Sequence, residues 1–182
     1  MRIKKKITAM FKRIAITGPE SSGKTRLAKD LAFHFKSNWV SEFAREYLEG
    51  LHEKYTLEDI LSIAKGQLTR EEEIAGQTAG LLFCDTDLTV TKIWSQVVFN
   101  SCPEWIEEKF IQHRYDLYLL CYPDIEWEAD TLRENPDDRL LLFEMYRKEL
   151  ENAEFNFAIV KGRGDERLEN AINFVNRLHA DL

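Results

Sequence analysis

The stretch Gly18-Pro19-Glu20-Ser21-Ser22-Gly23-Lys24-Thr25 satisfies the phosphate-binding pattern G-x-x-x-x-G-K-[S/T] at every fixed position. Its flanks supply the setting the pattern needs. Arg13-Ile14-Ala15-Ile16-Thr17 is a short apolar run rich in β-branched residues, and after the loop Leu27, Ala28, Leu31, Ala32 and Phe35 recur at helical spacing. A strand, a glycine loop and a helix start are therefore expected in that order, with unpaired N–H groups at the helix start facing an anion. Gly18 and Gly23 allow close backbone approach, Lys24 can reach the β- and γ-phosphates, and the Thr25 hydroxyl can be placed on Mg²⁺. The Glu20 carboxylate would repel phosphate and is expected to point outward. Gly18, Glu20, Ser21, Ser22, Gly23, Lys24 and Thr25 together form the candidate nucleotide site, with ATP and Mg²⁺ as the expected cofactors.

Outward from the loop, 182 residues, 44% of them hydrophobic, suit one compact domain. The net charge of −7 argues against a dedicated nucleic-acid binder. The opening stretch to residue 12 is basic, but its apolar run Ile7 to Phe11 is too short for a signal-peptide core or a membrane span. No other stretch could span a bilayer, so a cytoplasmic protein without membrane partners is expected, and the sequence leaves room for a homo-oligomer. Cys84, Cys102 and Cys121 lack C-x-x-C spacing and read as free thiols, and the four histidines show no metal-ligand spacing.

Strand-like runs alternate with helical patterns throughout. Strands are expected around Trp39-Val40, at Leu81 to Cys84, at Leu117 to Tyr122 and at Phe157 to Val160, in addition to the run before the loop. Between them fall helical stretches, among them one capped by Thr56 with Asp59 three residues on. The expected fold is α/β: a doubly wound, parallel, five-stranded sheet with a phosphate loop and a lid, binding ligands at the carboxyl ends of its strands.

Two further polar stretches carry chemistry. Asp85-Thr86-Asp87 follows the third strand; if the strand continues through it, the period of two puts both carboxylates on one side. One acid could then support Mg²⁺ and the other accept the proton of an attacking hydroxyl, whereas a helix cap in a solvated turn is the structural alternative. The second stretch lies within a lid region of about residues 123–140 and contains Asp130 to Arg139. Its arginines, Arg133 and Arg139, are candidates to neutralise charge on the triphosphate and exclude water, against the alternative of a solvated charged loop.

Taken together, these stretches resemble the ribosylnicotinamide kinase domain of the NadR family, within the P-loop kinases. The resemblance covers nearly the whole chain. It rests on residues 18–25, on Glu42-Phe43-Ala44-Arg45-Glu46-Tyr47, on Cys84-Asp85-Thr86-Asp87 with Ile93-Trp94, on Tyr115 to Leu120, and on Pro123-Asp124-Ile125 through Trp127 and Asp130 to Arg139. It implies transfer of the γ-phosphoryl group of ATP to the 5′-hydroxyl of nicotinamide riboside, a small-molecule nucleoside, to give nicotinamide mononucleotide. Asp85 and Asp87 would share metal and acceptor roles, and Glu42 and Glu46 stay in play because related nucleoside kinases take the base from the end of the second strand. Arg45 would contact substrate or phosphate. Trp94 and Trp127 are candidates to stack on the cationic nicotinamide ring, with core packing the alternative for each. Gly162 and Arg163, in the loop after the last strand, would seat adenine. Thr25-Arg26 departs from the family's usual Ser/Thr-Thr on the helix surface without altering the loop chemistry. Adenylyltransferase and DNA-binding domains of larger family members do not fit within these residues and are not expected here.

A regulatory nucleotide switch and a kinase for another nucleoside or small alcohol are the rival readings. The N-K-x-D segment of GTP switches is absent, and an AAA-type motor would usually place Glu beside the strand-end Asp. A second kinase substrate would leave the loop and lid unchanged.

Overall fold

The computed structural model describes residues 11–128 and 137–180. Among the described residues the elements run β1 (Phe11–Thr17), α1 (Lys24–Phe35), β2 (Asn38–Val40), α2 (Phe43–Glu49), α3 (Leu57–Ala75) and β3 (Gly80–Asp85). The chain continues through α4 (Leu88–Phe99), α5 (Glu104–Gln112), β4 (Leu117–Cys121), α6 (Arg139–Asn152), β5 (Phe157–Val160) and α7 (Gly164–Ala180). The strands form one sheet of order β2-β3-β1-β4-β5, and every neighbouring pair is parallel. The doubly wound α/β expectation holds, with boundaries shifted by a residue or two.

The loop-forming strand β1 is central. The chain fills β2 and β3 on one side of it before crossing to β4 and β5 on the other, so the loops diverge around the carboxyl end of β1. Ligand crevices form at such points in open parallel sheets. Alternation in β1 assigns its side chains to two cores. Ile14 and Ile16 pack with Leu27, Leu31 and Val175 of α1 and α7; Ala15 faces the opposite layer, where Ile60 of α3, Ile93 of α4 and Phe143 of α6 meet. Strand β4 is buried at all five positions, as expected of a strand covered on both faces. The Thr56–Asp59 capping box is formed, each side chain serving the other residue's backbone N–H. No helix among the described residues is long and apolar enough to cross a membrane.

The alternation expected through Asp85-Thr86-Asp87 does not occur. Strand β3 stops at Asp85, and Thr86 adopts φ +82°, a left-handed conformation that L-residues rarely take. The turn sends the two carboxylates to different surroundings.

Candidate active site: a phosphate loop between acidic strand ends

The loop after β1 is shaped by contacts that leave no room for side chains at its ends. Gly18 has φ +131°, and a Cβ there would lie 2.9 Å from the Cys121 carbonyl oxygen of β4. Gly23, at φ 78°, forms the N-cap of α1. Both glycines are thus required by backbone geometry as well as by access to an anion. The Ser22 hydroxyl donates to the Pro19 carbonyl (2.7 Å). Lys24 Nζ donates to the carbonyls of Gly18 (3.0 Å) and Pro19 (2.9 Å), so the ammonium lies directly over the loop.

A cavity of about 620 Å³ opens over this loop, lined by all eight residues from Gly18 to Thr25. Toward β2 and α4 its wall is Glu42, Arg45, Leu48, Val90, Ile93 and Trp94; α6 adds Leu142 and Tyr146, and α7 adds Gly164, Asp165 and Arg167. Its size fits a small-molecule site, and its make-up, an apolar wall with a few convergent polar groups, is that of a ligand pocket.

The acids divide into distinct environments. Asp85 is fully buried, and among the described residues no donor meets either carboxylate oxygen in hydrogen-bond geometry, although the Thr25 hydroxyl is near enough to act on it. Burial is the main cause that pushes its carboxyl up to about 6. Glu42 adds to the rise, while the Thr25 hydroxyl, Lys24 and Lys29 oppose it. Asp87 is also buried, but its oxygens accept from the hydroxyls of Thr17 (2.7 Å) and Thr89. Burial raises its pKa and those two hydroxyls pull it back. Neither Asp lines the cavity wall; Glu42 does, and it accepts a hydrogen bond from Thr86. Glu46 turns away to pair with Arg70 of α3 at 2.6 Å.

Helix α3 acts as a mould for the Glu42 segment. The Phe43 N–H donates to Gln67 Oε1 (2.8 Å). Arg70 donates to the Ser41 hydroxyl (3.1 Å) and stacks its guanidinium over the Phe43 ring at 4.8 Å. The Phe43 ring packs so closely over Gly66 that a Cβ there would lie 2.2 Å from it.

Of the remaining expected site residues, Trp94 lines the cavity and donates its indole N–H to the Tyr55 hydroxyl (3.1 Å). Trp127 is outside the wall, with the Arg139 guanidinium 5.7 Å from its ring centroid. Arg139 itself reaches the loop, donating to the carbonyls of Ser21 (3.2 Å) and Ile125 (2.9 Å). The Glu128 N–H donates to the Ser21 hydroxyl (3.0 Å), laying the segment after β4 across the loop. Arg133 lies outside the described residues. Gly162 and Arg163 do not line the cavity. The Gly162 N–H and carbonyl are both engaged, by Asp124 and Arg167, and Arg163 donates to the Asp124 carbonyl (2.8 Å). The wall on that side begins two residues later, at Gly164.

Tyr146 and Arg167 also line the cavity, and neither is marked as a site residue by its sequence surroundings. Tyr146 is buried by α6, and its phenol pKa is raised well above the ordinary value, first by burial and then by Asp87, Glu20 and Glu42. Its i+3 and i+4 spacing from Phe143 and Leu142 marks a helix face, not a pocket. Arg167 sits in a run of charged residues that reads as solvent-facing.

Among the described residues no group of three or more His, Cys, Asp or Glu side chains could hold a metal ion. Asp85 with the Thr25 hydroxyl supplies hard oxygen donors of the kind Mg²⁺ takes, and the unpartnered Asp85 oxygens fit such a role. The remaining ligands would come from triphosphate and water, as is usual for Mg²⁺ at phosphate sites.

This fold and site define a P-loop domain with the kinase-type fold. The sequence profile of the AAA domain family matches residues 13–167. The chain belongs to that family. The adjacent Asp-Glu pair of an AAA-type motor is not formed at the end of β3, since Thr86 follows Asp85. The trifunctional NAD biosynthesis/regulator protein NadR of Salmonella typhimurium, and likewise that of Escherichia coli, is 28% identical over 124 residues, 66% of this chain. The chain spans 30% of the length of those curated relatives. A crystal structure of NadR in complex with NR matches 92% of this chain and 51% of its own at TM-score 0.80 and 23% identity. NadR with NAD and AMP-PNP matches 92% and 49% at TM-score 0.76 and 22% identity. A deoxyadenosine kinase from M. mycoides matches 91% of this chain and 99% of its own at TM-score 0.63 and 14% identity. At these identities the structural likenesses show the fold.

Proposed function

We propose that the domain transfers the γ-phosphoryl group of ATP to the 5′-hydroxyl of nicotinamide riboside, giving nicotinamide mononucleotide and ADP in the cytoplasm. The observation that carries this reading is one continuous cavity with the phosphate loop at its floor, the Glu42 carboxylate on its wall and an apolar side at Trp94 and Ile93. The NadR relatives, one of them solved with NR, support that acceptor, and NadR solved with AMP-PNP supports an ATP-type donor.

In this reading Lys24 leaves the Gly18 and Pro19 carbonyls for the β- and γ-phosphate oxygens, and Arg139, held at Ser21, adds a second cation at the loop. Thr25 and Asp85 would hold Mg²⁺, which when bound neutralises charge on the phosphates. Glu42 orients the acceptor hydroxyl and takes its proton as the new O–P bond forms and the bond to ADP breaks. Thr86 fixes the Glu42 carboxylate for that task. Trp94 offers an aromatic face to a cationic pyridinium, and Arg45 contacts the substrate on the same wall. Asp87 supports the strand end through Thr17 and Thr89.

A kinase for another nucleoside is the second reading, favoured by the deoxyadenosine kinase, whose whole length the fold covers. A panel of nicotinamide riboside, uridine, cytidine and deoxynucleosides with ATP and Mg²⁺ decides between them. The expected result is a kcat/KM for nicotinamide riboside at least about tenfold above every other acceptor. Equal or lower activity on it would overturn the acceptor assignment.

A further inference from the structure

Arg167, in the first turns of α7, is 5% exposed and ties the phosphate loop and the segment after β4 to the loop that precedes its own helix. One terminal nitrogen donates to the Ser22 carbonyl of the phosphate loop (2.7 Å) and to the Tyr122 carbonyl after β4 (2.8 Å). The other donates to the Gly162 carbonyl (2.7 Å) and to Asp124 Oδ1 (2.7 Å). Asp124 completes the ring by accepting from the Gly162 N–H at 2.8 Å. The guanidinium also backs the loop directly, since a Cβ on Gly23 would come 3.8 Å from Arg167 Nε. A planar fork with several donors is required to reach four acceptors at once; an ammonium could not do so in this geometry.

We infer that Arg167 is a positioning residue that sets the spacing between the phosphate loop and the Gly164–Leu168 wall of the same cavity, so that the triphosphate and the base of one nucleotide are met together. The inference rests on the ATP-binding half of the proposed reaction and does not involve the acceptor. The loop has its own internal bond, Ser22 to Pro19, and a backbone fixed at Gly18 by its contact with Cys121, which hold its anion-binding shape without Arg167. What Arg167, 145 residues beyond Ser22, adds is registration with the wall where Gly164, Asp165 and Leu168 line the cavity. A ligand that carries both groups gains from two subsites held at the right separation, because the second contact is made without further ordering cost. A ligand that carries phosphates alone gains nothing from it.

The test is equilibrium binding of ATP and of inorganic tripolyphosphate, by calorimetry without any acceptor nucleoside, to the wild type, Arg167→Lys and Asp124→Ala. Circular dichroism and thermal melts confirm that each variant is folded at the assay temperature. Expected is a loss of about tenfold or more in ATP affinity in Arg167→Lys, with tripolyphosphate affinity changed by less than about threefold. Asp124→Ala, which keeps Arg167 but removes its ionic partner and the Gly162 anchor, shows the same pattern and decides the matter if Arg167→Lys does not fold. Equal losses for both ligands, or no loss for either in a folded variant, would overturn the inference and leave Arg167 a purely structural staple. Absence of ATP binding to the wild type would instead overturn the donor reading itself, whereas failure of the acceptor panel leaves this measurement untouched.

Discussion

The Thr86 hydroxyl donates to Glu42 Oε1 across 3.2 Å, joining the turn after β3 to the end of β2. The bond holds the one strand-end carboxylate that lines the cavity, while Asp87, two residues from Asp85 in sequence, is held by threonines behind the wall. Glu42→Gln should therefore lower kcat by about a hundredfold or more, the scale of a lost general base, with ATP affinity retained. Asp87→Asn should act mainly on stability. Steady-state kinetics with thermal melts separate the two; a hundredfold loss of kcat in a fully stable Asp87→Asn protein would return Asp87 to the chemistry.

Lys24→Ala should reduce phosphoryl transfer by at least about a hundredfold, since one cation aimed at developing negative charge is worth that much. Its own contacts are two bonds to loop carbonyls, so unfolding free energy should fall by no more than about 1 to 2 kcal/mol. Turnover at the wild-type rate would remove the loop from the active site.

Asp85 gives a pH signature in protein free of divalent metal and nucleotide. Its folded carboxyl binds a proton more tightly than the unfolded one, about 6 against 3.8. Its contribution to stability is therefore complete below the unfolded value and is lost as pH rises through about 6. The difference of about two pKa units corresponds to a penalty on the order of 2 to 3 kcal/mol at pH 8. Asp85→Asn, which carries no charge to bury, should be more stable than wild type by that order at pH 8, with the gap shrinking below pH 6 and small near pH 4. Denaturant melts across this range give the curve. A difference that does not vary with pH would show that the folded carboxyl is not perturbed.

Gly66→Ala should destabilise, although Ala is the better helix former by about 1 kcal/mol. The added methyl would meet the Phe43 ring at 2.2 Å, and overpacking of this kind costs about 1 to 3 kcal/mol. Phe43 must move, and Glu42 precedes it, so KM for the acceptor should rise while ATP affinity holds. A stabilised variant with unchanged KM would show that the ring yields freely.

Most of the fold was legible because its signals are local. Gly18 and Gly23 punctuate a strand and a helix, Thr56 and Asp59 announce a helix start, and Leu117 to Cys121 is apolar at the length of a buried strand. The acidic pair was only half legible. Asp85 and Asp87 stand out by position, but their separation depends on the left-handed turn at Thr86, and nothing about a threonine foretells a positive φ. Arg167 was illegible for a different reason. Its neighbours Asp165, Glu166 and Glu169 read as a solvated face, and its burial is created by Ser22, Tyr122, Asp124 and Gly162, which come together only when the sheet is assembled. Trp127 illustrates the reverse case, an aromatic residue conspicuous in sequence that packs beneath Arg139 outside the cavity wall.

The hold of helix α3 on the Glu42 segment, through Gly66, Gln67 and Arg70, separates two evolutionary problems. None of those three residues lines the cavity. A lineage can therefore retune which alcohol is accepted by mutating one face of α3, while the machinery that consumes the donor is inherited unchanged. For a laboratory seeking a kinase with a new acceptor, the same division names the positions to randomise first: 66, 67 and 70, which reach the substrate wall from behind.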